Sequence, residues 1–195
     1  MIDWQMKEKI RQALASRRKE KMNDKSLTEA AVLVPLFSRG GEYHILFTRR
    51  SSQVAHHKGQ ISFPGGARSE GDHSLLDTAL RESWEEIGLE TRDIEIIGEL
   101  DDTPTVSSGF VISPFVAFVP YPYEFKMSDY EIDEIFHVPV SALLHKAKVT
   151  RESRVALGEV VTAYSYEYEG RVIWGATAWI VRQLLEVWQS MSGAQ

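Results

Sequence analysis

Hydrophobic positions recur along this chain in two periods, and the switches between them outline its elements. Trp4, Ile10 and Leu14 fall on one side of a helix that the pattern extends from Trp4 to about Lys21, with Arg17, Arg18, Lys19 and Lys21 loading its last turns. Such a helix reads chiefly as a packed accessory element, with a phosphate or partner contact as the alternative. Two short apolar runs, residues 30–37 (AAVLVPLF) and 43–48 (YHILFT), flank Ser38-Arg39-Gly40-Gly41-Glu42 and predict a β-hairpin. Residues 59–63 (GQISF) predict another short strand, leading into a Pro64-Gly65-Gly66 turn.

From Ser74 the period becomes helical. Leu76, Leu80, Ser83 and Ile87 form the stripe expected to be buried, Ser74 with Asp77 resembles a capping box, and Gly88 supplies a left-handed stop. Residues 94–100, 113–119, 160–168 and 171–174 read as strands, the last two joined by a Glu169-Gly170 turn. Residues 120–129 are a Pro- and Tyr-rich loop. Residues 141–148 predict a short helix and 176–191 a closing one, with Ile180, Leu184, Val187 and Trp188 at core spacing. Strands and helices mix without regular βαβ alternation, so the expected fold is α+β, a mixed β-sheet flanked by helices, over a doubly wound parallel sheet.

Composition narrows the function. The 195 residues, 43% hydrophobic and 26% charged, fit one globular unit: a helix and connector over residues 1–28 ahead of a main domain over 29–195. A net charge of −6 argues against nucleic acid or an anionic membrane as partner. The absence of cysteine excludes disulfides, thiolate catalysis and Cys-bound zinc. The first twenty residues lack an apolar signal segment and no run reaches the length of a membrane span, so a soluble, cytoplasmic protein is expected.

The chemistry concentrates in residues 63–89. Glu82, Glu85 and Glu86 stand at i, i+3 and i+4, which places three carboxylates on one helical face. Two readings remain open on spacing alone. The row is a solvated acidic face, or it is a site where a hard cation offsets the repulsion. Pro64-Gly65-Gly66 ahead of the helix would let backbone approach a ligand closely.

Gly66, Asp72 and Arg81-Glu82-Ser83-Trp84-Glu85-Glu86-Ile87-Gly88-Leu89 resemble the signature of the Nudix hydrolases: a Gly, an acid, then Arg-Glu-apolar-x-Glu-Glu-x-Gly-apolar. Three departures are visible. Asp72 stands where Glu is usual, one extra residue separates it from Arg81, and Ser83 replaces an apolar residue; the helical triplet is intact. Upstream, Leu46-Phe47-Thr48-Arg49-Arg50-Ser51, Gly59 and Phe63-Pro64-Gly65-Gly66 resemble the added motif of the coenzyme A pyrophosphatase branch, as does Ile173-Trp174-Gly175-Ala176-Thr177-Ala178. Phe47 replaces a Leu of that motif, and Ala55 stands where an Arg is expected.

The resemblance implies an α/β/α sandwich in which Glu82, Glu85 and Glu86, with the Gly66 carbonyl, bind Mg²⁺ or Mn²⁺, and Arg81 orients a glutamate. It implies hydrolysis of the diphosphate of coenzyme A or its derivatives into adenosine 3′,5′-bisphosphate and 4′-phosphopantetheine. Arg49, Arg50, Lys58 and Arg68, with the Gly65-Gly66 backbone, are the candidate substrate contacts. Arg50 is the first choice for the 3′-phosphate, through bidentate pairing. Glu134 is preferred over Glu131 as a further metal ligand or general base, with Glu86 as the alternative base. His56 and His57 read as loop or packing residues, although either, or Lys58, could compensate for Ala55. Tyr164, Tyr166 and Tyr168 share a strand face that is packed or could join two copies in a homodimer. Two competing readings stand beside this one. The first is a Nudix pyrophosphatase for another nucleoside diphosphate derivative such as ADP-ribose. The second is a Nudix-fold module that senses a nucleotide without cleaving it.

Overall fold

An uninterrupted apolar run can be a strand only if both of its faces are covered, and the strand at the centre of this molecule meets that condition. The structure, a computed structural model, describes residues 4–54, 57–156 and 159–192. Strand β1 (Thr28–Arg39) sends Val32, Val34 and Leu36 to one core and Ala31, Leu33 and Phe37 to the other. It turns at Gly40-Gly41 into β2 (Glu42–Arg50), with Arg39 opposite Glu42. After β3 (Ile61–Ser62) and β4 (Gly65–Ala67), the chain enters α2 (Leu75–Ile87), the second helix after α1 (Trp4–Ala15). A 3-10 turn, Thr91–Asp93, leads to β5 (Glu95–Glu99), β6 (Thr103–Pro104), β7 (Phe110–Phe118) and β8 (Ile132–Pro139).

These strands form one mixed sheet in the order β3-β2-β1-β7-β5, with β4 added to β1, β6 to β7 and β8 to β2. Only the long β1–β7 pairing, Thr28↔Phe110 to Leu36↔Phe118, is parallel among the pairings described. A second, antiparallel sheet follows α3 (Val140–His145): β9 (Lys148–Ala156), β10 (Glu159–Tyr168) and β11 (Arg171–Trp174), in the order β11-β10-β9. The closing helix α4 (Gly175–Ser192) packs with α1, α3 and this small sheet over one face of the main sheet, and α2 covers the other. The mixed sheet with helices on both faces is the sandwich the sequence predicts. Among the described residues no helix is long and apolar enough to cross a membrane.

Several expectations shift. Helix α1 stops at Ala15, so Arg17 and Lys19 lie in a connector and not on a helical turn. Asp101 and Asp102 capture that connector: Arg17 pairs with Asp101 at 2.6 Å, Lys19 reaches Asp102 at 3.0 Å, and Glu20 N–H donates to Asp101 at 2.9 Å. Arg17 and Lys19 are spent on carboxylates of the same chain, and Ile10 and Leu14 are buried, so α1 is a packed helix. Strands β8 and β9 carry too many charges to read as strands from sequence, and β4 occupies part of what reads as a turn. The Tyr164, Tyr166 and Tyr168 face is packed within the chain: Tyr166 is buried, and Tyr164 lies 5.6 Å from the Trp179 ring of α4. Tyr164 and Tyr168 on that face are half-buried.

Candidate active site

Helix α2 is fixed at both ends. The Ser74 hydroxyl accepts from Asp77 N–H at 3.1 Å, and Gly88, at φ 65°, closes the last turn. Its buried face is rotated from the predicted one. Thr78, Ala79, Ser83, Glu86 and Ile87 are buried, whereas Leu76 and Leu80 are only half-buried. Small side chains at 79 and 83 seat the helix closely on the sheet, and the Ser83 hydroxyl is satisfied by donating to Ala79 C=O at 2.7 Å. With roughly 100° between successive residues, the rotation turns Glu86 inward and Glu85 outward, with Glu82 between them. Their side chains are 2%, 44% and 17% exposed respectively. The three carboxylates lie in a row but not in one environment.

At the outer end the row is clamped. Arg81 grips Asp72 with two hydrogen bonds, Nε to Oδ1 at 2.9 Å and Nη2 to Oδ2 at 3.0 Å. Its Nη1 donates to Glu82 at 2.8 Å and to Glu85 at 2.9 Å. Asp72 is itself buried and accepts from Ser69 N–H at 2.8 Å and the Thr78 hydroxyl at 2.9 Å. The hydrogen bonds from Arg81 and Ser69 hold its carboxyl far below the usual carboxylate range, and Asp72 in turn raises Arg81.

At the inner end the row is loosely held. Glu86 accepts from Gly65 N–H at 3.2 Å and from Arg50 Nη1 at 3.3 Å. Burial pushes its carboxyl up to about 8, only partly offset by Arg50 and the Gly65 N–H. Burial also raises Glu82, against the pull of Arg81. Gly66 backs onto the Glu82 carboxylate so closely that a Cβ there would stand 2.6 Å from the carboxyl carbon. The backbone of the loop and the side chains of the helix therefore meet without an intervening side chain, as the Pro-Gly-Gly spacing predicts.

Among the described residues no three acidic or histidine side chains converge as ready cation ligands, because Glu82 and Glu85 face Arg81 and Glu86 faces Arg50. The donor set nevertheless fits a hard divalent cation. Glu86 is an almost fully buried carboxylate with two long contacts, an arrangement that stays ionised at neutral pH only with a stronger positive partner. Glu82, beside the Gly66 backbone, supplies adjacent oxygens.

The remaining predicted residues separate. Glu134 is engaged by Arg171 and by Arg49, the latter at 3.4 Å. Glu131 instead adds its charge to both Glu82 and Glu86, and its backbone is pinned by Ser51 N–H at 2.8 Å. Arg50 faces Glu86, with Nη1 3.3 Å from Oε1. Arg68 pairs with Glu29 at 2.8 Å and donates to the Asp72 carbonyl at 3.4 Å. Lys58 is exposed, and His57 hydrogen-bonds Gln60 in its own loop. Ala55 and His56 lie outside the described residues. Two participants have little sequence signal. Asp72 as the buried anchor of Arg81 was legible in the motif only as a departure, and Arg171 reaches Glu134 from the second sheet, a contact that no local spacing encodes.

The chain is similar to known proteins in both sequence and fold. The family model described as NUDIX domain matches residues 27–158. The chain is 34% identical over 156 residues to the protein of Citrobacter koseri named uncharacterized Nudix hydrolase NudL, covering 80% of each chain. It is 36% identical over 157 residues to the NudL of Yersinia enterocolitica, again over 80% of each. Among solved structures, it is similar to a MutT/nudix family protein of Enterococcus faecalis, with a TM-score of 0.56, 14% identity, and coverage of 88% of this chain and 66% of that one. It also resembles a C. elegans Ap4A hydrolase solved as a binary complex, at a TM-score of 0.50, 18% identity, and coverage of 59% and 82%. At these identities the structural likenesses speak for the fold.

Proposed function

The chain belongs to the Nudix family and is a Nudix hydrolase, and from that premise we propose that it cleaves the diphosphate of coenzyme A or its acyl derivatives, using Mg²⁺ or Mn²⁺ held by Glu82, Glu85 and Glu86 with the Gly66 carbonyl. The observation that carries the metal-site reading is Glu86, buried and poorly partnered at the inner end of the carboxylate row. The substrate reading is supported by residues 46–51, 59, 63–66 and 173–178, whose pattern resembles the coenzyme A branch.

A bound divalent cation supplies the charge that neutralises the diphosphate and makes water a better nucleophile. The protein's part follows from its own groups. Arg81, anchored by Asp72, fixes the outer carboxylates, and the Gly65-Gly66 backbone leaves room for the diphosphate. Glu134, Glu131 and Glu86 are the candidate proton acceptors. Glu134 sits in the ion pair with Arg49 and Arg171, where it orders the strand edge beside the site. Arg49 and exposed Lys58 remain the cations nearest in sequence for the 3′-phosphate. Residues 29–195 form the hydrolase domain on this reading, with residues 1–28 as an appended helix and connector.

The test is a panel of coenzyme A, dephospho-coenzyme A and ADP-ribose, assayed with Mg²⁺ and with Mn²⁺. Coenzyme A is expected to turn over fastest, and dephospho-coenzyme A more slowly because it lacks the 3′-phosphate. Inert coenzyme A beside rapid ADP-ribose cleavage overturns the substrate and leaves the metal site standing.

A further inference from the structure

Arg49 and Arg50 are adjacent, yet they serve opposite faces of the sheet. Ordinary strand alternation sends Arg49 to Glu134 and Arg50 to Glu86 on α2, while the β2–β8 register shifts beside them, Arg49 lying opposite Glu134 and Arg50 opposite Ile132, with the extra residue, Asp133, on β8. The Arg50 backbone is pinned on both sides: its N–H donates to Gln60 C=O at 3.0 Å and its C=O accepts from Gly59 N–H at 3.0 Å. Its side chain is not. One nitrogen touches Glu86 at 3.3 Å, and Nε is buried without a hydrogen-bond partner. A guanidinium held by so little at the end of a fixed backbone is free to exchange its anion. Arg81, four hydrogen bonds deep in carboxylates, is not.

We infer that Arg50 is an exchangeable counter-ion: in the metal-free protein it pairs with Glu86, and when a divalent cation binds it releases Glu86 and takes a substrate phosphate instead. This rests on the reading of α2 as the metal site. The inner carboxylate cannot serve both cations fully, so Arg50 competes with the metal until a phosphate draws it away. Cation and diphosphate therefore favour one another's binding through this residue. Glu86 is never left as a buried, unpartnered charge at any stage.

The test needs no turnover and no coenzyme A. Mn²⁺ is titrated calorimetrically into metal-free wild type, Arg50→Met and Arg50→Lys, with and without methylenediphosphonate as an uncleavable diphosphate. Arg50→Met is expected to bind Mn²⁺ alone roughly fivefold or more tightly than wild type, the scale of an ordinary coupling between sites, and to lose the gain that the diphosphonate gives wild type. Arg50→Lys keeps the charge and is expected to stay near wild type. The metal-free Met variant should also unfold at lower temperature at pH 8, a difference that saturating Mn²⁺ removes. Should Arg50→Met fail to fold, Arg50→Gln carries the same comparison. Unchanged or weaker Mn²⁺ binding in a folded, uncharged variant overturns the exchange, as does equal tightening in Arg50→Lys. Failure of wild type itself to bind Mn²⁺ overturns the metal site beneath it, a separate result.

Discussion

The two ends of the α2 carboxylate row use the same chemistry to opposite ends. At the outer end, Arg81 and Asp72 make a double hydrogen bond near 3 Å, with further donors closing around it. At the inner end, Arg50 and Glu86 make one contact at 3.3 Å inside the protein. Charge pairs that are fully hydrogen-bonded set geometry; a buried charge with incomplete partners stores a demand for a better one. The difference teaches that an acidic motif contains both scaffold and reactive positions, and that hydrogen-bond completeness tells them apart.

The two ends of the row should respond differently to mutation and to pH. The largest effect belongs to the loose end: Glu86→Gln should lose about 10²–10³-fold in kcat/KM with Mg²⁺, the cost of removing a strong electrostatic group from the reacting centre. Undiminished turnover would remove Glu86 from the site. Next, the two ends should titrate with opposite signs in metal-free protein. Glu86 rises from an ordinary 4.5 to about 8, so the unfolded chain holds fewer protons than the folded one over that range, and stability falls as pH increases through it. The fall should be on the order of 5 kcal/mol, and Glu86→Gln or saturating Mn²⁺ should flatten it in urea titrations. Asp72 is depressed below its ordinary 3.8, so its contribution is complete above that value and is lost as acid is added. A slope that Glu86→Gln leaves unchanged would assign the titration elsewhere.

Breaking the tight end should act on stability first. Arg81→Met strands Asp72 and frees Glu82 and Glu85, at about 2–3 kcal/mol in equilibrium unfolding for a partly buried pair. A cost below about 1 kcal/mol would mean the clamp is ornamental. The smallest change is Ser83→Ala, on the buried face between the two ends. Its hydroxyl bonds within the helix, so unfolding should shift by no more than about 0.5 kcal/mol.

Much of this was legible in the residues. The central hairpin, the caps of α2 and the glycine that lets backbone meet Glu82 all follow from local rules, because each depends on neighbours within a few positions. The rotation of α2 did not follow. Leu76 and Leu80 promised a buried stripe, yet the close seat offered by Ala79 and Ser83 outweighed their size. The end of α1 was likewise set by two aspartates some eighty residues away. Strand β9 is an edge of its sheet, where charge is tolerated and guards against further pairing, so its alternation was hidden. Glu131 and Glu134 are separated by a bulge that spacing cannot announce.

The parallel pairing of β1 with β7 carries one more consequence, in the order of assembly. It joins segments about eighty residues apart and encloses Gly65, Gly66 and all of α2 within the intervening chain. Closing so long a loop is slow relative to forming a helix or hairpin. The loop and helix can each form early, but the sheet that holds Gly66 against Glu82 and turns Glu86 inward waits for residue 118. During synthesis Glu86 thus reaches its buried place against the sheet only once most of the chain is made.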